Sequence, residues 1–435
     1  MKKQNIKILA IETSCDETAA AVIFAEGKKP QISNLKSQTY NLKTKEQFTG
    51  PVILSNIVSS QIDLHKKTGG VVPEVASRAH MEAIIPVIKQ ALLQANPKSE
   101  ILNSKQIRNS KNKNSKHVSD FDIRASDLLQ DVTHLAVTAG PGLIGSLLVG
   151  FNTAKSIAYS LNLPIIPINH IEGHIYSAIG GECQMSNVKC QKYGINHDYN
   201  PNKLQANKLK SFPILALTVS GGHTSLNLIF DHGKYKTIGA TRDDAAGEAF
   251  DKVARLLDLG YPGGPIVSKF AAQFRESQIS NLKPQTLILP RPMIRDKNFD
   301  FSFSGLKTAV LEEITNHKSQ ITKKEYKMKV CAAFEDAAVD VLVTKTIRAA
   351  KQFRPKGIIL AGGVAANKSL QQELKNKIEN YNLEVKESDK MNYYLPPADM
   401  TGDNAAMIGL AACYHIVRGD VKRWSEINLD SNLKL

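Results

Sequence analysis

Apolar and polar positions along this chain fall into a few recurring blocks. Residues 8–24 run from an apolar stretch (ILAI) through a polar turn (ETSCDET) to a second apolar stretch (AAAVIF), the pattern of a β-hairpin with buried strands. Residues 215–230 repeat it. LAIETSCDETAAAVIF and LALTVSGGHTSLNLIF align without a gap at an offset of 206, with six of sixteen positions identical, Ser14 with Ser220 and Thr18 with Thr224 among them. Both copies set small hydroxyl residues in a turn between two buried strands, which predicts two duplicated lobes facing each other. Turns of this kind offer backbone N–H groups and hydroxyls to phosphate or carboxylate oxygens. The glycines of SGGHTS let a ligand approach the backbone closely.

Helical periodicity marks the segments between and after the hairpins. Residues 69–92 start as a Gly/Pro loop and become a helix with Ile84, Ile85, Val87, Ile88 and Leu92 on its inner side. His80, near the start of that helix, suits a structural or substrate-contact role better than metal ligation. Residues 134–161 read as strand, Gly-Pro turn and helix, an α/β unit whose turn could hold an anion at the helix N-terminus. Residues 243–259 form an amphipathic helix with Phe250, Val253, Ala254 and Leu257 inward and Asp251 beside that stripe. YPGGP (261–265) reads as a rigid turn and FDFSFSGLKT (299–308) as an aromatic-rich loop. GIILAGGVAAN (357–367) is strand, Gly-Gly turn and helix start, a weak nucleotide signal by itself. Neither G-x-x-x-x-G-K-[ST] nor G-x-G-x-x-G occurs, so the P-loop and dinucleotide fingerprints are both absent.

The densest chemistry lies at residues 167–174, PINHIEGH, where an apolar strand (163–168) gives way to a helix. His170 and His174 are four residues apart, so on a helix they share one face and can both reach one metal ion. A zinc protease is the tempting reading, and the spacing argues against it. At about 100° per residue, Glu172 points roughly 200° from His170, away from the metal face. The protease patterns place Glu directly after the first His or directly before the second, and neither occurs here. In TGDNAAMIG, Asp403 falls at or near a helix N-cap. It either caps that helix or supplies a carboxylate ligand to the His pair.

Composition narrows the partners. The chain has 435 residues, enough for two or three domains, with 42% hydrophobic and 22% charged residues, ordinary for a soluble globular protein. Five scattered cysteines (Cys15, Cys183, Cys190, Cys331, Cys413) make no disulfide framework, and only Cys183 and Cys190 lie near each other. With no signal-peptide core and no apolar run near ~20 residues, the expectation is a cytoplasmic protein that does not cross a membrane. The net charge of +15 is uneven: residues 103–117 carry five Lys/Arg and no acid, and residues 183–210 carry five Lys and one Asp. Both stretches are Lys/Asn-rich and aperiodic, so they read as insertions, either solvated or arms that track polyanion phosphates.

IETSCDET, GGVVPEVASRAH, NHIEGH, VSGGHTS, DDAAGEAFDK, YPGGP, FDFSFSGLKT, AGGVAAN and TGDNAAMIG occur in that order between Ile8 and Val417. Together they resemble the TsaD/Gcp family of tRNA N6-adenosine threonylcarbamoyltransferases, GGVVPEVASRAH resembling its bacterial and organellar branch. The resemblance implies an α/β fold of two duplicated ribonuclease-H-like lobes, of the actin/Hsp70/sugar-kinase type, with a central ligand cleft. It divides the chain into an N-terminal lobe with the metal helix (1–181, insertion 97–130), a basic linker (182–210), a C-terminal lobe (211–398) and a metal-ligand loop with closing helix (399–435). It implies metal ligation by His170, His174 and Asp403, with Fe(2+) the expected ion and Zn the alternative. Substrate binding is carried onto Thr218, Val219, Ser220, Gly221, Gly222, Asp251, Gly264 and Asn367. Thr218 stands where close relatives often have Leu or Val, a mild departure if backbone atoms dominate there.

The implied reaction moves a threonylcarbamoyl group from threonylcarbamoyl-AMP to N6 of adenosine 37 in tRNAs reading ANN codons. A TsaB-like paralogue and a TsaE-like ATPase are the implied protein partners. Because the adenine amine is a poor nucleophile and the donor a reactive mixed anhydride, the enzyme has to stabilise charge. Glu17 is the candidate for taking the N6 proton, with His223 as the alternative. A small-molecule kinase of the same superfamily and a non-catalytic scaffold paralogue are the competing classes. The His pair counts against both.

Overall fold

Both hairpins form, and in one register. The computed structural model describes residues 3–28, 51–96, 128–179, 182–183, 212–278 and 287–435; the basic stretch 103–117, and nearly all of 182–210, lie outside them. Strands β1 (Lys3–Glu12) and β2 (Glu17–Lys28) pair antiparallel with Leu9 opposite Val22. Strands β7 (Ile214–Val219) and β8 (Thr224–Asp231) pair antiparallel with Leu215 opposite Leu228, each partner shifted by the same 206 positions.

The repeat extends to whole sheets. Strand β3 (Val52–Ser60) pairs antiparallel with β2, while β4 (His134–Gly140) lies parallel to β1 and β5 (Ile165–Asn169) parallel to β4. In the second sheet β9 (Lys234–Ala240) pairs antiparallel with β8, β10 (Gly357–Ala361) lies parallel to β7, and β11 (Asn392–Tyr394) parallel to β10. The sheet orders are therefore β5-β4-β1-β2-β3-β6 and β11-β10-β7-β8-β9, with the short β6 (Glu182–Cys183) added at one edge of the first. Two copies of one α/β topology is the expected duplicated fold, reached from strand pairing alone.

The helices divide between outside and inside. On the first lobe, α1 (Ile62–Lys66) is short; α2 (Pro73–Gln94) and α3 (Ile144–Leu161) pack over Leu9, Ile11, Val22, Leu135 and Val137. Interior helix α4 (His170–Ile179) is considered below. On the second lobe, α5 (Ala246–Leu256), α6 (Gly263–Gln278), α7 (Ser304–Asn316), α8 (Lys324–Phe353) and α9 (Lys368–Glu384) enclose a core that includes Leu217, Phe250, Phe334 and Leu360.

A third cluster fills the space between the sheets. It joins Ile8, Ala10 and Ala21 of the first sheet to Ile214, Ala216 and Ile359 of the second, through α4 and α10 (Ala405–Val417). The two interior helices are exchanged. Helix α4 follows a strand of the first sheet yet packs on β10 and β7, whereas α10, near the end of the chain, packs on β1 and β2. Two glycines permit this closeness: a Cβ on Gly409 would stand 2.3 Å from Ile23 Cγ1, and one on Gly173 would stand 2.8 Å from Ile408 Cδ1. Residues after α10 return to the first lobe, where Lys422 bridges to Ile165 and the Asp430 amide donates to Ala139 O.

Local differences from the sequence reading have local causes. Ile85 is 62% exposed, while Ile84, Val87, Ile88 and Leu92 are buried. The inner stripe of α2 is thus narrower than the apolar run. In YPGGP only Tyr261 and Pro262 precede the helix, since Gly263 already opens α6. The aromatic loop is anchored at Phe299, Phe301 and Phe303, all buried, and Phe303 directly precedes α7. Among the described residues no helix is long and apolar enough to cross a membrane.

Candidate active site

Helix α4 begins where β5 ends. Asn169 Oδ1 accepts the amides of Ile171 (2.8 Å) and Glu172 (3.4 Å), capping the helix and fixing where its first turn points. One turn apart, His170 and His174 meet edge to face with ring centroids 4.6 Å apart. The loop before α10 brings in Asp403, whose Oδ1 lies 3.5 Å from His170 Nε2 and 3.1 Å from His174 Nε2. Asp403 does not cap α10. Asn404 does, its side chain accepting the Met407 amide at 3.0 Å, and this leaves the neighbouring carboxylate free. Each of the three residues offers one ligand atom within 4.8 Å of the others, a group able to hold a metal ion.

The donor set fits a metal on a further ground. His174 is fully buried; its Nε2 faces Asp403 Oδ1 at 3.1 Å without the geometry of a hydrogen bond, and its Nδ1 has no hydrogen-bond partner. An unsatisfied buried polar group costs about 1–3 kcal/mol, and a cation bound at Nε2 would remove that cost from this nitrogen. Charge points the same way. Burial pushes the Asp403 carboxyl up, but His170, His174 and His223 outweigh it and hold the group well below the usual carboxylate range. Burial opposes charge on His170, but Asp403 and Glu12 raise it to about 9. Glu172 faces the other way: Oε1 accepts from the Tyr235 hydroxyl (2.5 Å) and Oε2 lies 2.9 Å from His415 Nε2.

Glu12 escaped the sequence reading. It is fully buried at the end of β1, with Oε2 3.1 Å from His170 Nδ1 and 2.5 Å from the Thr138 hydroxyl, while Oε1 accepts the Ser14 amide. The available signal was an acid closing an otherwise apolar buried run. His80 anchors the same turn from α2, with Nδ1 2.7 Å from Thr18 Oγ1 and Nε2 3.0 Å from Cys15 O.

The second lobe holds a cavity of about 1090 Å³ lined by Gly221, Asp251, Gly264 and Asn367, which gathers four of the sequence-predicted substrate residues. Gly221, Gly222 and Gly264 have open space where a Cβ would stand, so bare backbone is presented there. Gly247 has the opposite role: its Cβ would lie 2.6 Å from Ser220 O, and its amide donates to that oxygen at 3.2 Å, drawing α5 against the β7–β8 turn. Asp251 Oδ1 accepts the Gly263 amide at 2.7 Å, and burial raises its carboxyl. Asn367 is fully engaged, accepting from Leu370 N (2.8 Å) and donating to Glu335 Oε1 (2.7 Å) and Ser268 Oγ (2.9 Å). Thr218 and Val219 lie within β7 and are buried, so their side chains do not line the cavity.

The two proton-transfer candidates stand in the field of the triad. Burial, then the charges of Asp16 and Asp403, push the Glu17 carboxyl well above its usual range. Burial, then His170 and His174, push His223 down to about 4, so its ring is neutral near pH 7. The lobes also touch across the cleft, where the Arg255 guanidinium of α5 donates to Gly69 O ahead of α2.

A family model described as TsaD: tRNA N6-adenosine threonylcarbamoyltransferase matches residues 52–104, 120–185 and 195–410. Proteins named tRNA N6-adenosine threonylcarbamoyltransferase are similar over almost the whole chain. That of Geobacillus thermodenitrificans is 39% identical over 429 residues, 99% of this chain and 96% of that one. That of Clostridium kluyveri is 40% identical over 435 residues, 99% and 98% respectively. Among solved structures, full-length HypF in its phosphate- and nucleotide-bound form aligns with a TM-score of 0.45 at 12% identity, covering 96% of this chain and 47% of that one.

Proposed function

This chain belongs to the TsaD family of tRNA N6-adenosine threonylcarbamoyltransferases, and from that premise we propose that it transfers threonylcarbamoyl from threonylcarbamoyl-AMP to N6 of adenosine 37 in ANN-decoding tRNAs. The observation that carries the reading is the His170–His174–Asp403 group, whose ligand atoms all lie within 4.8 Å of one another. A divalent ion held there, Fe(2+) by family precedent with Zn as the alternative, supplies charge neutralisation and carbonyl polarisation when bound.

The remaining roles fall to the chain's own groups. The N6 lone pair forms a bond to the carbamoyl carbon, the bond from that carbon to the phosphate oxygen breaks, and AMP departs with the electron pair. Glu17, its carboxyl raised by burial and by the charges of Asp16 and Asp403, takes the N6 proton; neutral His223 is the alternative acceptor. Bare backbone at Gly221, Gly222 and Gly264 admits donor oxygens close to peptide N–H groups, and each such donor is worth about 3 kcal/mol by analogy with oxyanion holes. Asp251, which lines the cavity, holds the ribose or adenine of the donor, while Asn367 braces the cavity wall through Glu335 and Ser268. Thr218 and Val219 act through backbone and packing. The tRNA is the acceptor substrate, and a TsaB-like paralogue and a TsaE-like ATPase are the protein partners.

The test is to incubate purified protein, the two partner proteins, synthetic threonylcarbamoyl-AMP and unmodified tRNA, then measure threonylcarbamoyladenosine in nucleoside digests. Product that depends on this chain is expected. Metal-loaded protein that yields none, or that phosphorylates a small alcohol on its own, would sink the assignment.

A further inference from the structure

We propose that Glu12 is a positioning residue that sets the His170 tautomer and so decides whether the ring can bind metal, an inference that rests on the metal reading above. Three donors converge on this buried side chain: the Ser14 amide on Oε1 at 2.5 Å, the Thr138 hydroxyl on Oε2 at 2.5 Å, and His170 Nδ1 3.1 Å from Oε2. An ionised carboxylate only accepts hydrogen bonds. Nδ1 therefore carries the hydrogen, and Nε2 presents its lone pair toward Asp403 and His174. Carboxylates behind metal-bound histidines fix ring orientation and raise ligand basicity in this manner.

Ser14 is the rival. Its Oγ also lies 3.1 Å from His170 Nδ1, and a hydroxyl can donate as well as accept. If Ser14 donated, the hydrogen would sit on Nε2 and block the metal. Substituting Glu12→Gln separates the two. The Ser14 amide needs an acceptor, so it holds the amide oxygen at the Oε1 position. The NH2 group then occupies the Oε2 position, donates to Nδ1 and moves the ring hydrogen to Nε2. A change of almost no volume is thus expected to damage metal binding, which a packing role for Glu12 would not produce.

The experiment titrates Co(II) and Zn(II) into full-length protein against a chromophoric chelator, with thermal unfolding as the control. Wild type, Glu12→Gln, Ser14→Ala and His174→Ala are compared. Glu12→Gln should bind both metals about 10–100-fold more weakly, and Ser14→Ala should stay within about threefold of wild type. An unchanged affinity in Glu12→Gln overturns the proposal, as does a tenfold change in Ser14→Ala: a gain would mean that Ser14 donates to Nδ1 and blocks the metal, a loss that Ser14 accepts the Nδ1 hydrogen in place of Glu12. If Glu12→Gln fails to fold, the Ser14→Ala arm still decides. A wild type that binds neither metal, or a His174→Ala protein that binds as tightly as wild type, removes the metal reading and this inference together. Tight binding in wild type with no change in Glu12→Gln removes only the inference.

Discussion

His174 is fully buried, with Nδ1 lacking a hydrogen bond and Nε2 turned to Asp403, so whatever completes Nε2 determines its chemistry. Replacing His174, His170 or Asp403 by Ala should remove bound metal and nearly abolish transfer. Glu172→Ala should keep its metal, because that carboxylate serves Tyr235 and His415 instead. Elemental analysis of the four purified variants distinguishes these outcomes; full metal in His174→Ala would refute the ligand set. Thr218 behaves differently. Its buried hydroxyl has no partner, so Thr218→Val should stabilise the protein by about 1 kcal/mol and leave donor binding unchanged, as thermal unfolding and a binding titration would register. The His pair was legible from spacing alone. Asp403 was legible only as a choice between cap and ligand; its neighbour Asn404 takes the cap, and the Asp403 carboxylate faces the His pair. Glu12 was not legible, because its partners at Thr138 and His170 lie more than 100 residues away in sequence.

Helix ends carry much of the site. Asn404 caps α10 through its oxygen, while its amide NH2 donates to Gly402 O at 2.9 Å and holds the loop that bears Asp403. Asn404→Ala should cost about 0.5–2 kcal/mol of stability and weaken metal binding as the loop loosens. Asn404→Asp should keep the cap and lose the loop contact. Unfolding and metal titration of both variants separate the two functions; equal metal affinity in both and in wild type would count against the link. Gly362 closes the adjoining region of the second lobe. With φ at +91° and a hypothetical Cβ 2.4 Å from Val219 O, Gly362→Ala should destabilise the protein by more than about 1 kcal/mol. At this scale the hairpin repeat was fully readable, since the 206-residue offset in sequence reappears as a 206-residue offset in strand register. Helix faces were readable to within a residue or two. Ile85 failed because an apolar side chain on an outer helix can face solvent at little cost.

The whole molecule is held at its centre by exchanged parts. Glu172 of α4 accepts from Tyr235 of the second sheet and meets His415 of α10, while His232 stacks on Tyr414 with ring centroids 4.2 Å apart. Tyr235→Phe removes one donor from a buried carboxylate and should cost about 1–3 kcal/mol, measured by denaturant unfolding; a loss below about 0.5 kcal/mol would mean that the contact carries little. Sequence periodicity could announce two lobes but not this exchange, because α10 is apolar on nearly every side and names no partner. The exchange also has a consequence for biosynthesis. Strands β1 and β2 leave the ribosome long before the helix that covers their inner face, which emerges some 380 residues later. Until then the nascent first sheet carries a bare apolar surface, the kind of surface that makes a folding intermediate prone to aggregate. A message that stops before Ala405 therefore releases an aggregation-prone fragment instead of a working half.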